Sequence, residues 1–228
     1  MVRAPASIGT ADASLRFERM RDALRRGVLV DDRDLDAIYP SAIRRASAVH
    51  WTPVDVAVKA ARLLATRPGA RLLDIGSGVG KFCIVAAAAV EARVAGVEQR
   101  ARLVEIGELA AERFGVDVTF TRGTLDDCDP RDVDGVYLFN PFAENLCQSD
   151  DRIDGTVELS ELRFVRDVAA ARRFLRATRA GTRVVTYCGF GGEMPSGYVR
   201  LVVGRRASSL ELWEQTKRFG RHDGAHAR

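Results

Sequence analysis

Cysteine is scarce and scattered in this 228-residue sequence: Cys83, Cys128, Cys147 and Cys188 form no C-x-x-C pair. That spacing argues against a zinc cluster or a redox dithiol and suits small core residues in a reducing compartment. Lysine is rarer still. Lys59, Lys81 and Lys217 are its only instances, so the net charge of +4 rests on arginine, which reads as coding bias rather than selection for a polyanion. His222 and His226 stand four apart in "RHDGAHAR", but no apolar stripe accompanies them, so a disordered basic tail is expected there and no metal site. Long apolar runs are missing too: nothing approaches the roughly 18 residues of a membrane span. The opening "MVRAPASIGTADAS" has no apolar segment to serve as a secretory leader. No membrane partner is therefore expected, and the cytoplasm is the default location.

The composition, 46% hydrophobic and 29% charged, is that of a globular protein large enough to bury a full core. Residues 1–13 read as a loose arm. The stretch "SLRFERMRDALRRGVL" then sets Phe17, Met20, Leu24 and Val28 on one helical stripe. A charged connector with one short helix leads to "TPVD", where Thr52 is placed to cap, Pro53 to open and Asp55 to close the start of a helix running to about Thr66. From Ala70 the strand-like runs "RLLDI", "RVAGVE", "DVTFT", "GVYLF" and "RVVTYC" alternate with helical stretches or loops, which predicts a parallel sheet with crossover helices. The last of those helices is expected over "TVELSELRFVRDVAAARRFLRAT", with Leu162, Val165, Val168 or Ala169, and Leu175 inward. Two further strands, "YVRLVVG" and "SSLELWEQ", are joined so tightly that they must pair antiparallel. Three segments follow: an N-terminal arm and helical extension over 1–50, a sheet-bearing domain over 51–216, and the tail over 217–228.

The stretch "LLDIGSGVGKF" places Asp74 at a strand end and Gly76, Gly78 and Gly80 at alternate positions behind it, with Ser77 between the first two. A dinucleotide site has the spacing G-x-G-x-x-G and offers a pyrophosphate a helix N-terminus. A fixed carboxylate beside it would repel that pyrophosphate, so the ligand expected here is cationic, lying against backbone that carries no Cβ. The segment resembles motif I of the class I S-adenosylmethionine-dependent methyltransferases. The resemblance extends over about residues 50–216 and implies a Rossmann-like, doubly wound α/β fold: seven strands, mostly parallel, with an antiparallel C-terminal hairpin. It implies S-adenosylmethionine as cofactor, held by Asp74, Gly76, Ser77, Gly78 and Gly80. Glu98, at the end of the second strand, is then the acceptor for both ribose hydroxyls and Gln99 packs beside the adenosine. After the third strand Thr124 stands where many members carry an aspartate for the adenine amino group. Thr124 and Asp126 remain alternatives for that contact, and Leu125 is the candidate for backbone contact and apolar packing. Trp51 and Thr52 lie where several families fold a segment over the methionine end.

In "GVYLFNPFAEN" a strand ends at Asn140 and turns through Pro141 and Phe142 at the carboxyl edge of the sheet. The turn is similar to motif IV of amino-directed methyltransferases, without their second proline. Asn140, Pro141 and Phe142 are accordingly the candidate catalytic residues, with Asn140 also counted among the cofactor-binding residues. Asn140 and the Pro141 carbonyl would accept hydrogen bonds from an amine, and Phe142 would stack on a planar or cationic acceptor. Glu144 is a candidate proton acceptor. These readings predict methyl transfer by in-line displacement to nitrogen, with oxygen second, on a small molecule or protein. Two alternatives stand beside it: a non-catalytic S-adenosylmethionine-binding regulatory module, and a nucleic-acid methyltransferase. The last fits poorly with Arg172, Arg173, Arg205 and Arg206 scattered among acids.

Overall fold

A computed structural model describes residues 8–148, 152–203 and 210–217. The alternating apolar segments form seven strands: β1 (Ala70–Ile75), β2 (Ala92–Glu98), β3 (Thr119–Arg122), β4 (Gly135–Phe139), β5 (Arg183–Tyr187), β6 (Tyr198–Val203) and β7 (Leu210–Gln215). They make one sheet in the order β3-β2-β1-β4-β5-β7-β6. The first five strands are parallel, and β7 runs antiparallel to both β5 and β6. Strand order reverses between β1 and β4, and such a reversal leaves a crevice at the carboxyl ends of the strands.

Side chains alternate across the sheet and build a core on each face. Leu72, Val94, Tyr137 and Val185 pack under α4 (Val54–Leu64), α5 (Lys81–Ala89) and α6 (Ala101–Phe114). Leu73, Ile75, Val136, Leu138 and Val184 face the other way, under α7 (Glu161–Ala177). Helix α5 is buried along almost its whole length because it lies between the sheet and the neighbouring helices α1, α4 and α6.

The N-terminal part is more helical than expected. Residues 8–13, assigned to a loose arm, already belong to α1 (Ile8–Arg26), and the charged connector forms two helices, α2 (Asp32–Asp36) and α3 (Ser41–His50). Phe17, Met20 and Leu24 are buried in the same core as α4 and α5. Val28 is not, because α1 ends at Arg26 and Gly27 turns the chain with φ 79°. The predicted cap of α4 also fails. Thr52 Oγ1 is 3.1 Å from the Tyr137 hydroxyl, and the Val54 N–H donates instead to Asp32 Oδ1 at 3.1 Å. In α7 the inward row is Ala171, Phe174 and Leu175, with Phe164 and Val168 partly buried; Leu162 and Val165 face solvent. Residues 1–7, 204–209 and 218–228, including Arg205, Arg206, His222 and His226, lie outside the described residues.

Candidate active site

The loop between β1 and α5 turns back on itself with Gly76, Gly78 and Gly80 at φ 72°, 56° and 73°, a region L side chains rarely adopt. What fills the space of the missing Cβ atoms departs from expectation. A Cβ on Gly76 would stand 2.8 Å from Pro141 Cβ, one on Gly78 would overlap Cζ3 of Trp51, and one on Gly80 would overlap the Phe120 ring. The glycines thus admit the protein's own side chains, and the loop lies between Pro141 on one side and Trp51 on the other.

A cleft of about 900 Å³ opens beside this loop at the carboxyl ends of β1, β2 and β4, a size suited to a nucleoside-scale ligand. Trp51, Gly76, Gly78, Glu98, Gln99, Thr124, Leu125, Asn140, Pro141 and Phe142 all line it. Thr52, Asp74, Ser77 and Gly80 are not among its lining residues. Asp74 lies beneath the loop on the α5 side, where Cys83 Sγ is 3.4 Å from Oδ2. Burial drives its carboxyl from the ordinary 3.8 up to about 7, the Cys83 hydrogen bond opposing and the nearby Glu98 adding to the rise. Glu98 reaches the wall with both oxygens engaged: Oε2 accepts from the Gly78 N–H at 3.1 Å and Oε1 from the Arg100 N–H at 2.9 Å. Burial raises its pKa, and those two N–H groups hold it back.

On the far side of the cleft, the Thr124 hydroxyl caps a 3₁₀ turn at Leu125–Asp127, accepting from the Asp126 N–H. Asp126, on that turn, lines the cleft. Gln99 Oε1 accepts from Arg163 Nη2 at 2.9 Å, and Arg163 Nε also pairs with Asp167. Asn145 donates to the Phe142 carbonyl at 3.1 Å and to Asp167 at 3.4 Å. Glu144 is no free proton acceptor. Its Oε1 accepts from Arg100 Nη2 at 2.8 Å and from the Ile153 N–H at 2.7 Å, while Arg100 Nε donates to Asp154 Oδ1 at 3.0 Å. Arg100, Arg163 and Asp167 were not singled out in the sequence. Their one readable signal is that Arg100 and Arg163 begin helices, where the helix dipole disfavours a cation.

The Asn140–Pro141 turn lies against the glycine loop. Asn140 has φ 39° and its N–H donates to the Gly189 carbonyl at 3.0 Å, which fastens the end of β4 to that of β5. Positive φ in a non-glycine residue is uncommon, and asparagine tolerates it better than most. Cys188, just beyond β5, also has positive φ (57°) and lines the cleft. Phe142 is 9% exposed and packs in the core under α7, so its ring forms wall rather than a free stacking platform.

Residues 39–135, less than half of the 228, match the family model described as protein-L-isoaspartate(D-aspartate) O-methyltransferase. No curated protein matches the sequence. Among solved structures, an RNA methyltransferase from Salinibacter ruber in complex with S-adenosyl-L-homocysteine is 23% identical, covers 74% of this chain and 95% of its own, and gives a TM-score of 0.53. TrmN from Thermus thermophilus is 19% identical over 75% of this chain and 51% of its own, with a TM-score of 0.57. A mutant of MtNAS in complex with S-adenosylmethionine is 16% identical over 93% and 80%, with a TM-score of 0.51. Sheet order, an acid-tipped first strand, the glycine loop behind it and the methyltransferase family model spanning both give this chain the fold of the class I S-adenosylmethionine-dependent methyltransferases.

Proposed function

We propose that the protein transfers a methyl group to a nitrogen acceptor, with oxygen as the second choice, on a small molecule or a protein side chain. The observation that carries this is the contact of Pro141 with Gly76, which brings the Asn140–Pro141 turn directly against the cofactor loop. The residues present suit the cofactor's chemistry. Glu98 stands on the cleft wall for the ribose hydroxyls, and the Asp74 carboxyl, buried without a counter-cation among the described residues, gains one when a cationic ligand enters. When bound, S-adenosylmethionine supplies a methyl carbon already activated by its sulfonium. The protein's share is then positioning, since an in-line displacement needs the acceptor's lone pair held at near-contact distance more than it needs a nucleophile of the enzyme.

In this reading the Asn140 side-chain amide, half-buried and without a hydrogen-bond partner among the described residues, orients the acceptor. The Thr124 hydroxyl already accepts from its own turn, which favours the Asp126 carboxylate for the amino group. Trp51 closes the loop side. The family-model match ends at Gly135, before the Asn140 turn, so the half of the site that resembles an O-methyltransferase is the cofactor half. The test is incubation with radiolabelled S-adenosylmethionine and separate pools of amines, carboxylates, peptides and RNA. Label appearing in amine or peptide pools supports the proposal. Label only in RNA supports the nucleic-acid alternative, and tight cofactor binding with no labelled product in any pool supports the regulatory module.

A further inference from the structure

Lys81 follows the glycine loop directly and is 2% exposed. Its ammonium lies 2.5 Å from Asp32 Oδ1, 2.8 Å from Asp36 Oδ1 and 2.9 Å from Ser47 Oγ. These partners come from α2 and α3, and Asp32 Oδ1 also receives the first N–H of α4. One ammonium thus gathers the ends of four helices.

Helix α3 gives this arrangement its meaning. Ser47 is its single buried residue, with Ile43 packed partly against the core, so α3 is seated in large part by a polar contact where helices are ordinarily seated by an apolar stripe. The Ser47 carbonyl in turn accepts the Trp51 N–H at 3.1 Å. Trp51 leans over Gly78, and Thr52 bonds to Tyr137 of β4. A path of hydrogen bonds therefore runs from Lys81 through Ser47 to Trp51, the residue that covers the loop side of the cofactor cleft.

We propose that Lys81 is a positioning residue for cofactor binding: it fixes the register of α3 and so sets Trp51 across the glycine loop, over the methionine end of the cofactor. The inference rests on the cofactor reading above. An ammonium serves this purpose better than an apolar side chain because it discriminates sharply between one arrangement of Asp32, Asp36 and Ser47 and any shifted one, in which a buried charge would lose its partners. Lys81 does not touch the cofactor and carries no chemistry.

The test compares wild type, Lys81→Met, Asp36→Asn, Ser47→Ala and Trp51→Ala by calorimetric binding of S-adenosylmethionine, S-adenosylhomocysteine and 5′-methylthioadenosine, which lacks the amino-acid end. Lys81→Met is expected to weaken the first two ligands about tenfold or more, as a displaced positioning shell does. It should change the third by less than about twofold, and add little further loss in a Trp51→Ala background. Where Lys81→Met does not fold, Asp36→Asn and Ser47→Ala carry the same expectation in milder form. Folded variants that bind all three ligands as wild type does, or that lose all three alike, overturn the positioning role. A wild type that binds neither S-adenosylmethionine nor S-adenosylhomocysteine overturns the cofactor reading and this proposal with it, a result distinct from the variant outcomes.

Discussion

Asp74 is a buried carboxylate kept under the glycine loop and absent from the cleft wall, so in the proposed reading it acts on a cationic ligand through its charge and not by contact. Its folded pKa of about 7 lies above the ordinary 3.8. The folded protein therefore holds the extra proton more tightly than the unfolded chain, and the stability this provides is complete below about pH 3.8 and lost as pH rises through about 7. A cationic ligand reverses the preference, since it favours the ionised form. Affinity for S-adenosylmethionine should fall up to about tenfold per pH unit below 7, with proton release on binding, and level off above. Asp74→Asn should flatten that profile, weaken the cofactor at pH 8 and raise the melting temperature of the free protein there, the unfavourable buried charge being worth at most about 4 kcal/mol. Calorimetry between pH 5.5 and 8.5 decides the matter: an unchanged slope in Asp74→Asn removes Asp74 from recognition. Glu98 differs because it lines the cleft and also holds the Gly78 and Arg100 N–H groups. Glu98→Gln retains one acceptor oxygen of two, and about a 10- to 100-fold loss of cofactor affinity is expected, at roughly 1.5–3 kcal/mol for a charged hydrogen bond. Wild-type affinity in that variant would remove Glu98 from ribose binding.

At the scale of elements, the loop and its two covers form one object. Gly78→Ala adds a Cβ into Trp51 at a backbone φ of 56°, so both strain and collision oppose it. The expected cost is roughly 1–3 kcal/mol of stability. Restoring space with Trp51→Ala in the same chain should recover part of that stability without recovering cofactor affinity, measured by thermal melts and calorimetry together. This contact also marks where sequence reading stops. The strands were legible because burial on both faces forces continuous apolar runs such as "GVYLF", and the loop because alternate glycines behind an acid have few other uses. Leu162 and Val165 were misread as core because their spacing is helical, but only the sheet decides which helical row turns inward. The same holds for Lys81 with Asp32 and for Arg100 with Asp154: these pairs span 49 and 54 positions, and no local period announces them. The glycines do turn the loop behind β1, but what occupies the space beside them, Pro141, Trp51 and Phe120, is set by tertiary contact.

For the molecule as a whole, the boundary drawn near residue 50 separates a helical extension from a sheet-bearing domain, yet the packing runs across it. Phe17, Met20 and Leu24 of α1 are each at most 8% exposed, and the Phe17 and Phe114 rings sit 5.9 Å apart between α1 and α6. Leu35 and Tyr39 are buried in the same cluster as Leu64 and Phe82. Burying a large apolar side chain stabilises by about 1.5–3 kcal/mol, so the three α1 residues alone represent roughly 5–9 kcal/mol. That is comparable with the 5–15 kcal/mol or so of net stability typical of a whole domain. Lys81 adds an ionic argument in the same direction, because removing α2 and α3 leaves its ammonium without Asp32, Asp36 or Ser47. The fragment 51–228 should therefore lack a cooperative thermal transition and bind no S-adenosylmethionine, while the full chain should melt cooperatively and bind it. Expression of the fragment, followed by circular dichroism melting and calorimetry, checks this. A fragment that melts cooperatively and binds the cofactor with full-length affinity would mean the helical extension is an independent attachment, and that Trp51 finds its place over Gly78 without help from the helices before it.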